Sequence, residues 1–376
     1  MDADAPHAAD RPTDAAASAP QSLSLCWLAL PGSRPGREPS WLAGMPGAEV
    51  TVVGDEPTGD PVTFVHRPYR RLSGRFVEAG ALAWFRDLDS LDVEADWVAA
   101  LELCALVTGQ IFGVAERAGA RTAVLTWGND AGNPMYRIPP YRFATERAKH
   151  ADLFVCMIDA ALRHCVELGI PEERCRVVHP PLDTELFSPS PAGPVDEPVA
   201  LFCSPIDSNK GIDRVLDAFQ LVRARLPEAK LRVLGRGPLV PMVEERAAAT
   251  DGAVEYLGVA GSRAEVADQL RAAALLVTAP RPTPVWNEQF GLAYVEAQAC
   301  GLPVVTTACG SNHEAVWAPN LRVADDAGQL AEAMIHFLAN PSERARVGAI
   351  NRAAMIEHFE QGQQLKRLRE AFDSMG

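Results

Sequence analysis

Short apolar runs recur along this chain, separated by polar stretches whose large side chains return at helical spacing. Residues 23–29, 50–53, 63–65, 97–101, 122–126, 153–156 and 176–179 read as buried strands. Residues 199–203, 231–234, 254–257 and 275–278 repeat the pattern in the second half. Between them lie helical segments, the clearest carrying Ile212, Val215, Leu216, Phe219, Val222 and Leu226 on one side. From Ala327 onward the pattern is helical apart from a break at Asn340-Pro341. Strands alternating with helices predict parallel sheets covered on both faces.

His179-Pro180-Pro181 and then Pro189, Pro191 and Pro194 interrupt all regular structure. A semi-stiff linker over 188–198 follows, and it divides the chain into two doubly wound α/β domains. The expected layout is a disordered tail at 1–20, a first Rossmann-like domain at 21–187 and a second at 199–358. The last stretch, 359–376, reads as a helix placed to pack back on the first domain. Two such domains face a cleft, which suits an enzyme closing on two substrates.

Composition narrows the class. The 376 residues are 48% hydrophobic and 22% charged, values of a soluble globular protein too long for one core. The first twenty residues have few large apolar side chains and lack the basic start and apolar middle of a signal peptide, so a cytoplasmic location is expected. A net charge of −14 argues against nucleic acid as a partner. One acidic concentration, Asp87, Asp89, Asp92, Glu94 and Asp96, reads either as a solvated surface or as a lure for a cationic acceptor. Arg67, Arg70, Arg71 and Arg75 around Tyr69 and Phe76 are read as a wet loop, and membrane contact is not expected. The eight cysteines show no metal-type spacing and read as reduced core residues, so no metal site is expected.

The candidate chemistry centres on residues 281–305. Glu288 and Glu296 have seven residues between them, among these Phe290-Gly291-Leu292, and Gly301-Leu302-Pro303 leads into Val304-Val305. Read locally this is a loop, a helix from about Gly291 to Gly301 and a buried strand. Eight helical steps separate the carboxylates by about 12 Å, roughly the span of a nucleotide diphosphate with one end group. An amphipathic core helix with Glu296 on its wet face explains the spacing equally well. Other loops fall at carboxyl ends of strands, where doubly wound folds place their sites. They hold Lys210 in Asn209-Lys210-Gly211, the turn Gly235-Arg236-Gly237-Pro238, and in the first half Glu102 and the loop from Trp127 to Asn133 with Asn129 and Asp130. Lys210 and a helix N-terminus near Gly291 both favour a phosphate, and the two glutamates can accept bonds from hydroxyls at either end of the ligand. Neither a Walker lysine pattern nor a Gly-x-Gly-x-x-Gly after a strand is present, which disfavours nucleotide hydrolysis and hydride transfer.

These residues, with Pro181-Leu182-Asp183-Thr184-Glu185-Leu186-Phe187, resemble the retaining glycosyltransferases of family 4, which have the GT-B fold. The resemblance covers about residues 95–340. It implies that Lys210 neutralises the leaving diphosphate, that Glu288 contacts the transferred sugar and that Glu296 holds the ribose. It further implies backbone contacts to sugar and phosphate near Phe290, Gly291 and Leu292, and to the base at Gly258-Val259. A UDP- or GDP-linked sugar would be co-substrate, with no cofactor and no metal. Transfer would retain configuration, with a leaving phosphate oxygen as proton acceptor.

Two positions depart from the family pattern. Pro205 stands where members usually carry a second phosphate-facing arginine, and Trp127 where many carry a sugar-contacting histidine. Asn129 or Asp130 would then take part on the acceptor side with Glu102. The short segment 30–50 leaves little room for the family's first helix. The expected acceptor is a small soluble molecule, an aminocyclitol or another natural-product intermediate. A nucleotide-sugar epimerase of the same fold, or a nucleotide-sugar-binding protein with weakened catalysis, are the alternatives.

Overall fold

The computed structural model describes residues 22–31, 37–57, 62–72 and 81–375. The tail expected at 1–20, and Arg75 and Phe76 of the basic segment, lie outside them. In the first half the elements are β1 (Leu23–Leu28), α1 (Glu38–Ala43), β2 (Ala48–Gly54), β3 (Thr63–His66), β4 (Tyr69–Arg71), β5 (Ala83–Phe85), β6 (Trp97–Leu101), α2 (Ile111–Ala118), β7 (Arg121–Thr126), α3 (Tyr141–Ala148), β8 (Leu153–Cys156), α4 (Asp159–Glu167) and β9 (Cys175–Val177). The sheet runs β3-β2-β1-β6-β7-β8-β9, and every pair in it is parallel. The second half begins with β10 (Val199–Cys203), α5 (Ile212–Arg225), β11 (Lys230–Leu234), α6 (Val240–Ala249), β12 (Val254–Gly258), α7 (Arg263–Arg271) and β13 (Leu275–Val277). It continues with α8 (Leu292–Ala299), β14 (Val304–Thr307), β15 (Leu321–Val323), α9 (Ala327–Leu338), α10 (Pro341–Phe359) and α11 (Gln361–Asp373). Its parallel sheet has the order β12-β11-β10-β13-β14-β15. Each sheet reverses direction beside its own first strand, so both crevices open at the carboxyl ends and face each other.

The strands are apolar throughout because helices cover both faces. In β1, Leu25 and Trp27 enter one core while Cys26 and Leu28 enter the other. The latter core runs on beneath the cleft through Leu182, Phe187, Phe290 and Phe359, so one apolar body joins the two halves. Beyond α10 the chain turns at Glu360, whose carboxylate caps the N–H groups of Gly362 and Gln363 at 2.7 and 2.8 Å. Helix α11 then packs Leu365, Leu368, Ala371 and Phe372 into the core of the first sheet. Phe372 meets the edge of Trp97 at 5.3 Å.

Several elements differ from expectation. The segment expected to leave little room for a first helix holds a short one, α1, of six residues with Pro39 in its first turn. The basic segment is not a free loop: Tyr69–Arg71 pairs antiparallel with Ala83–Phe85. The acidic concentration lies away from the cleft. Asp96 precedes β6 and accepts from Ser24 N and Oγ, and Asp89 pairs with Arg117 near the end of α2. All eight cysteines are thiols and six are buried. Cys156, Cys165 and Cys175 come within 4.8 Å of one another, a convergence their spacing did not announce, though a closed structural zinc site takes four ligands. Among the described residues no helix is long and apolar enough to cross a membrane.

His164 is buried against Tyr136, 5.0 Å between rings, with neither ring nitrogen hydrogen-bonded. Burial depresses its pKa from 6.5 to about 4. The folded state therefore holds it neutral, and its contribution is complete above pH 6.5 and lost as pH falls toward 4. The linkage predicts a loss of about 2 kcal/mol by pH 5. Denaturant titrations at pH 7.5 and 5 should show His164→Leu losing less stability over that interval than the parent protein; equal losses would contradict the assignment.

Candidate active site

The loop after β10 carries Lys210 to the cleft. Gly211 follows with φ +68, and a Cβ there would lie 1.8 Å from the Ala279 carbonyl oxygen, so the backbone passes directly against the end of β13. Asp207 accepts from the Lys210 N–H at 2.9 Å and fixes the turn. The ammonium of Lys210 then meets both oxygens of Glu288, at 2.7 and 2.9 Å, and stands 5.0 Å over the Trp286 ring. Glu288 is only 5% exposed. Its carbonyl accepts from Ser311 N at 2.8 Å and from the Asn129 amide at 3.0 Å. Gly310 is held at φ +53 where a Cβ would meet that same carbonyl at 2.2 Å.

Helix α8 starts behind this pair, capped by Gly291 at φ +86. It is not amphipathic: every residue from Tyr294 to Ala299 is buried, so Glu296 has no wet face. Gln298 donates to the Tyr294 and Ala315 carbonyls and accepts from Asn320, which explains a polar residue in that core. Glu296 is 3% exposed and is met by two cations, Arg37 at 2.7 Å and Arg263 at 3.6 Å. Arg37 comes from the far side of the cleft, at the start of α1. Phe290 is a core residue between Trp127 and Phe359, so only its backbone can serve a ligand. Leu292 is half-buried at the first turn of α8, Gly258 ends β12 at φ +76, and Val259 beyond it is 54% exposed.

On the first domain, Glu102 stands at the carboxyl end of β6 with φ 68, an uncommon conformation for a non-glycine residue. Its carboxylate accepts from Thr126 Oγ1 at 3.0 Å and Trp127 N at 3.1 Å. Trp127 donates its indole N–H to Glu38 at 3.1 Å; it braces the cleft wall, and burial raises the pKa of that glutamate. Asn129 crosses the cleft to the Glu288 carbonyl and Ser311, and Asn133 donates to the Val285 carbonyl at 3.1 Å. Glu102, Asn129, Asp130, Asn133, Asn287 and Gln289 line a cavity of about 380 Å³ between the domains, beside Trp286.

The candidate residues therefore fall into two groups. Lys210, Glu288 and the start of α8 form one, with Glu102, Asn129 and Asp130 bordering the cavity beside it; Glu296 forms the other, reached by Arg37 and Arg263. The arginines escaped the sequence reading. Arg37 follows a Gly- and Pro-rich stretch, Pro31-Gly32-Ser33-Arg34-Pro35-Gly36, in which no pattern marks it. Glu314 was also missed: its carboxylate caps the N–H groups of Asp159 and Ala160 at 2.7 and 2.8 Å and meets Arg163, fastening the two halves.

Residues 197–340 match the family model of glycosyl transferases group 1. A GDP-mannose-dependent alpha-(1-6)-phosphatidylinositol monomannoside mannosyltransferase of Mycolicibacterium smegmatis is 28% identical over 286 residues, covering 72% of this chain and 73% of that one. A D-inositol 3-phosphate glycosyltransferase of Mycobacterium tuberculosis is 33% identical over 250 residues, 59% of this chain. That match spans 49% of the relative, about half its length. Among solved structures, HepE of Anabaena in complex with UDP superposes with a TM-score of 0.72 at 17% identity, covering 94% of this chain and all of that one. A sucrose-phosphate synthase of Thermosynechococcus elongatus gives 0.69 at 17%, covering 94% and 99%. Two facing doubly wound sheets and a group 1 match over the second half agree: the chain has the GT-B fold, and its second half is similar to glycosyl transferases group 1.

Proposed function

We propose that this protein moves a hexose-type sugar, with retention of configuration and without a metal, from a UDP- or GDP-linked donor to a hydroxyl of a small soluble acceptor. The Lys210–Glu288 pair at the edge of the interdomain cavity carries the reading. Both groups are largely withdrawn from water, and each can exchange its partner for part of a donor. The lysine turns to the diphosphate and stabilises the charge that grows as the glycosidic bond breaks. The glutamate accepts bonds from sugar hydroxyls, and Glu296 does the same for the ribose. Gly258 and Val259 meet the base, and the backbone of Phe290, Gly291 and Leu292 meets sugar and phosphate. The acceptor hydroxyl enters from the cavity side and its proton passes to a departing phosphate oxygen.

Among the described residues, the cavity lining has two carboxylates, Glu102 and Asp130, four side-chain amides and no lysine or arginine. That chemistry favours a neutral or amine-bearing polyol, such as an aminocyclitol, over a phosphorylated acceptor. The relatives named for inositol phosphate or phosphatidylinositol substrates therefore support the donor half of this reading more than the acceptor half.

Loss of Glu288 or Lys210 should impair transfer. Glu288→Ala should bring turnover to background, and Lys210→Ala should lower kcat by about 10²–10³; near-normal activity in either variant would overturn the site assignment. A nucleotide-sugar thermal-shift screen identifies the donor, because bound ligand raises Tm with the logarithm of its concentration over Kd. With that donor, an acceptor panel should show transfer to uncharged or amine-bearing cyclitols, and transfer confined to phosphorylated or lipid acceptors would contradict the cavity reading. Proton NMR of the product should show the anomeric configuration of the donor, and an inverted product would refute retention.

A further inference from the structure

The donor-free cleft is paired with itself. Each glutamate that would receive hydroxyls already holds a cation: Lys210 on Glu288 and Arg37 on Glu296. The second pair is the less expected. Arg37 lies on the first domain and Glu296 on the second, yet their atoms meet at 2.7 Å. Glu296 also has Arg263 at 3.6 Å, so two guanidiniums share one buried carboxylate. Cys203, the last residue of β10, leads into the loop that delivers Lys210. That loop, residues 204–211, contains Lys210 as its only cation, with Asp207 opposing it. A diphosphate that departs with two or more negative charges is poorly matched by one lysine.

We propose that Arg37 is a diphosphate-binding residue supplied by the first domain, and that in the donor-free protein it is parked on Glu296. The inference rests on the donor reading above. When a nucleoside diphosphate enters, its ribose hydroxyls displace Arg37 from Glu296, with Arg263 remaining as the countercharge. The released guanidinium then meets the phosphates from across the cleft. Donor binding thereby converts an interdomain ion pair into an interdomain ligand bridge, and the first domain senses whether the phosphates are present.

Two effects of opposite sign follow for Arg37→Ala. The variant loses a charge-assisted phosphate contact, so UDP or GDP should bind about tenfold more weakly or worse. It also frees Glu296, so uridine or guanosine should bind as well as before or more tightly. Titration calorimetry of the full chain with each nucleoside and its diphosphate, on the parent, Arg37→Ala, Arg37→Lys, Arg236→Ala and Lys210→Ala, tests this. Arg37→Lys should recover part of the diphosphate affinity. Equal weakening of nucleoside and diphosphate, no change in either, or a larger diphosphate loss from Arg236→Ala on the neighbouring exposed turn would overturn the proposal. If Lys210→Ala weakens diphosphate binding while Arg37→Ala does not, this inference alone fails. If neither affects a diphosphate that binds, or none binds, the donor reading fails with it.

Discussion

A carboxylate taken out of water must keep a partner, because desolvation without one costs several kcal/mol. Glu288 and Glu296 are both almost wholly buried, and the rest of the cleft is arranged around that requirement. Lys210 is brought to Glu288 by a loop that only Gly211 can fit against β13, and Arg37 is brought to Glu296 from the opposite domain. A ligand with hydroxyls at its ends and phosphates between them can replace both pairs at once. Each carboxylate then trades a cation for hydroxyl donors, and each cation trades a carboxylate for phosphate oxygens. Recognition in this account is an exchange of partners with little net loss of bonds, which avoids opening an uncompensated charge at any stage.

The exchange needs the domains held near each other before the donor arrives. Three kinds of contact hold them. The Glu314 carboxylate sits on the N-terminus of α4, the amides of Asn129 and Asn133 reach backbone carbonyls of the second domain, and a shared core runs through Phe187, Phe290 and Phe359. Helix α11 adds a fourth tie by returning the end of the chain to the first sheet. The Asn129 contact is the most telling, since its acceptor is the carbonyl of Glu288 itself. A residue of the first domain thereby sets the backbone of Glu288.

Much of this was legible in the sequence, and the limits have physical causes. Strands such as 199–203 and 153–156 were readable because burial on both faces leaves an unbroken apolar run. Strands Ala83–Phe85 and Leu321–Val323 were not, because three residues are too few to show a period. Lys210, Glu288 and Glu296 stood out because they fall at strand ends and helix starts, which local patterning marks. Arg37 carried no such mark: its meaning lies in a carboxylate 259 positions away, a contact that only the facing of two domains creates. The acidic run 87–96 left two readings open for the converse reason, since composition says that charge is present and not which end of a sheet it occupies.

On the proposed reading, the donor enters by taking over the Lys210–Glu288 pair. A crystal structure of the protein with its nucleotide sugar bound measures this directly. The Lys210 ammonium should lie within about 3 Å of a phosphate oxygen, with the Glu288 carboxylate accepting bonds from hydroxyls of the sugar. A bound donor beside a Lys210–Glu288 pair still closed at its donor-free distance would contradict it.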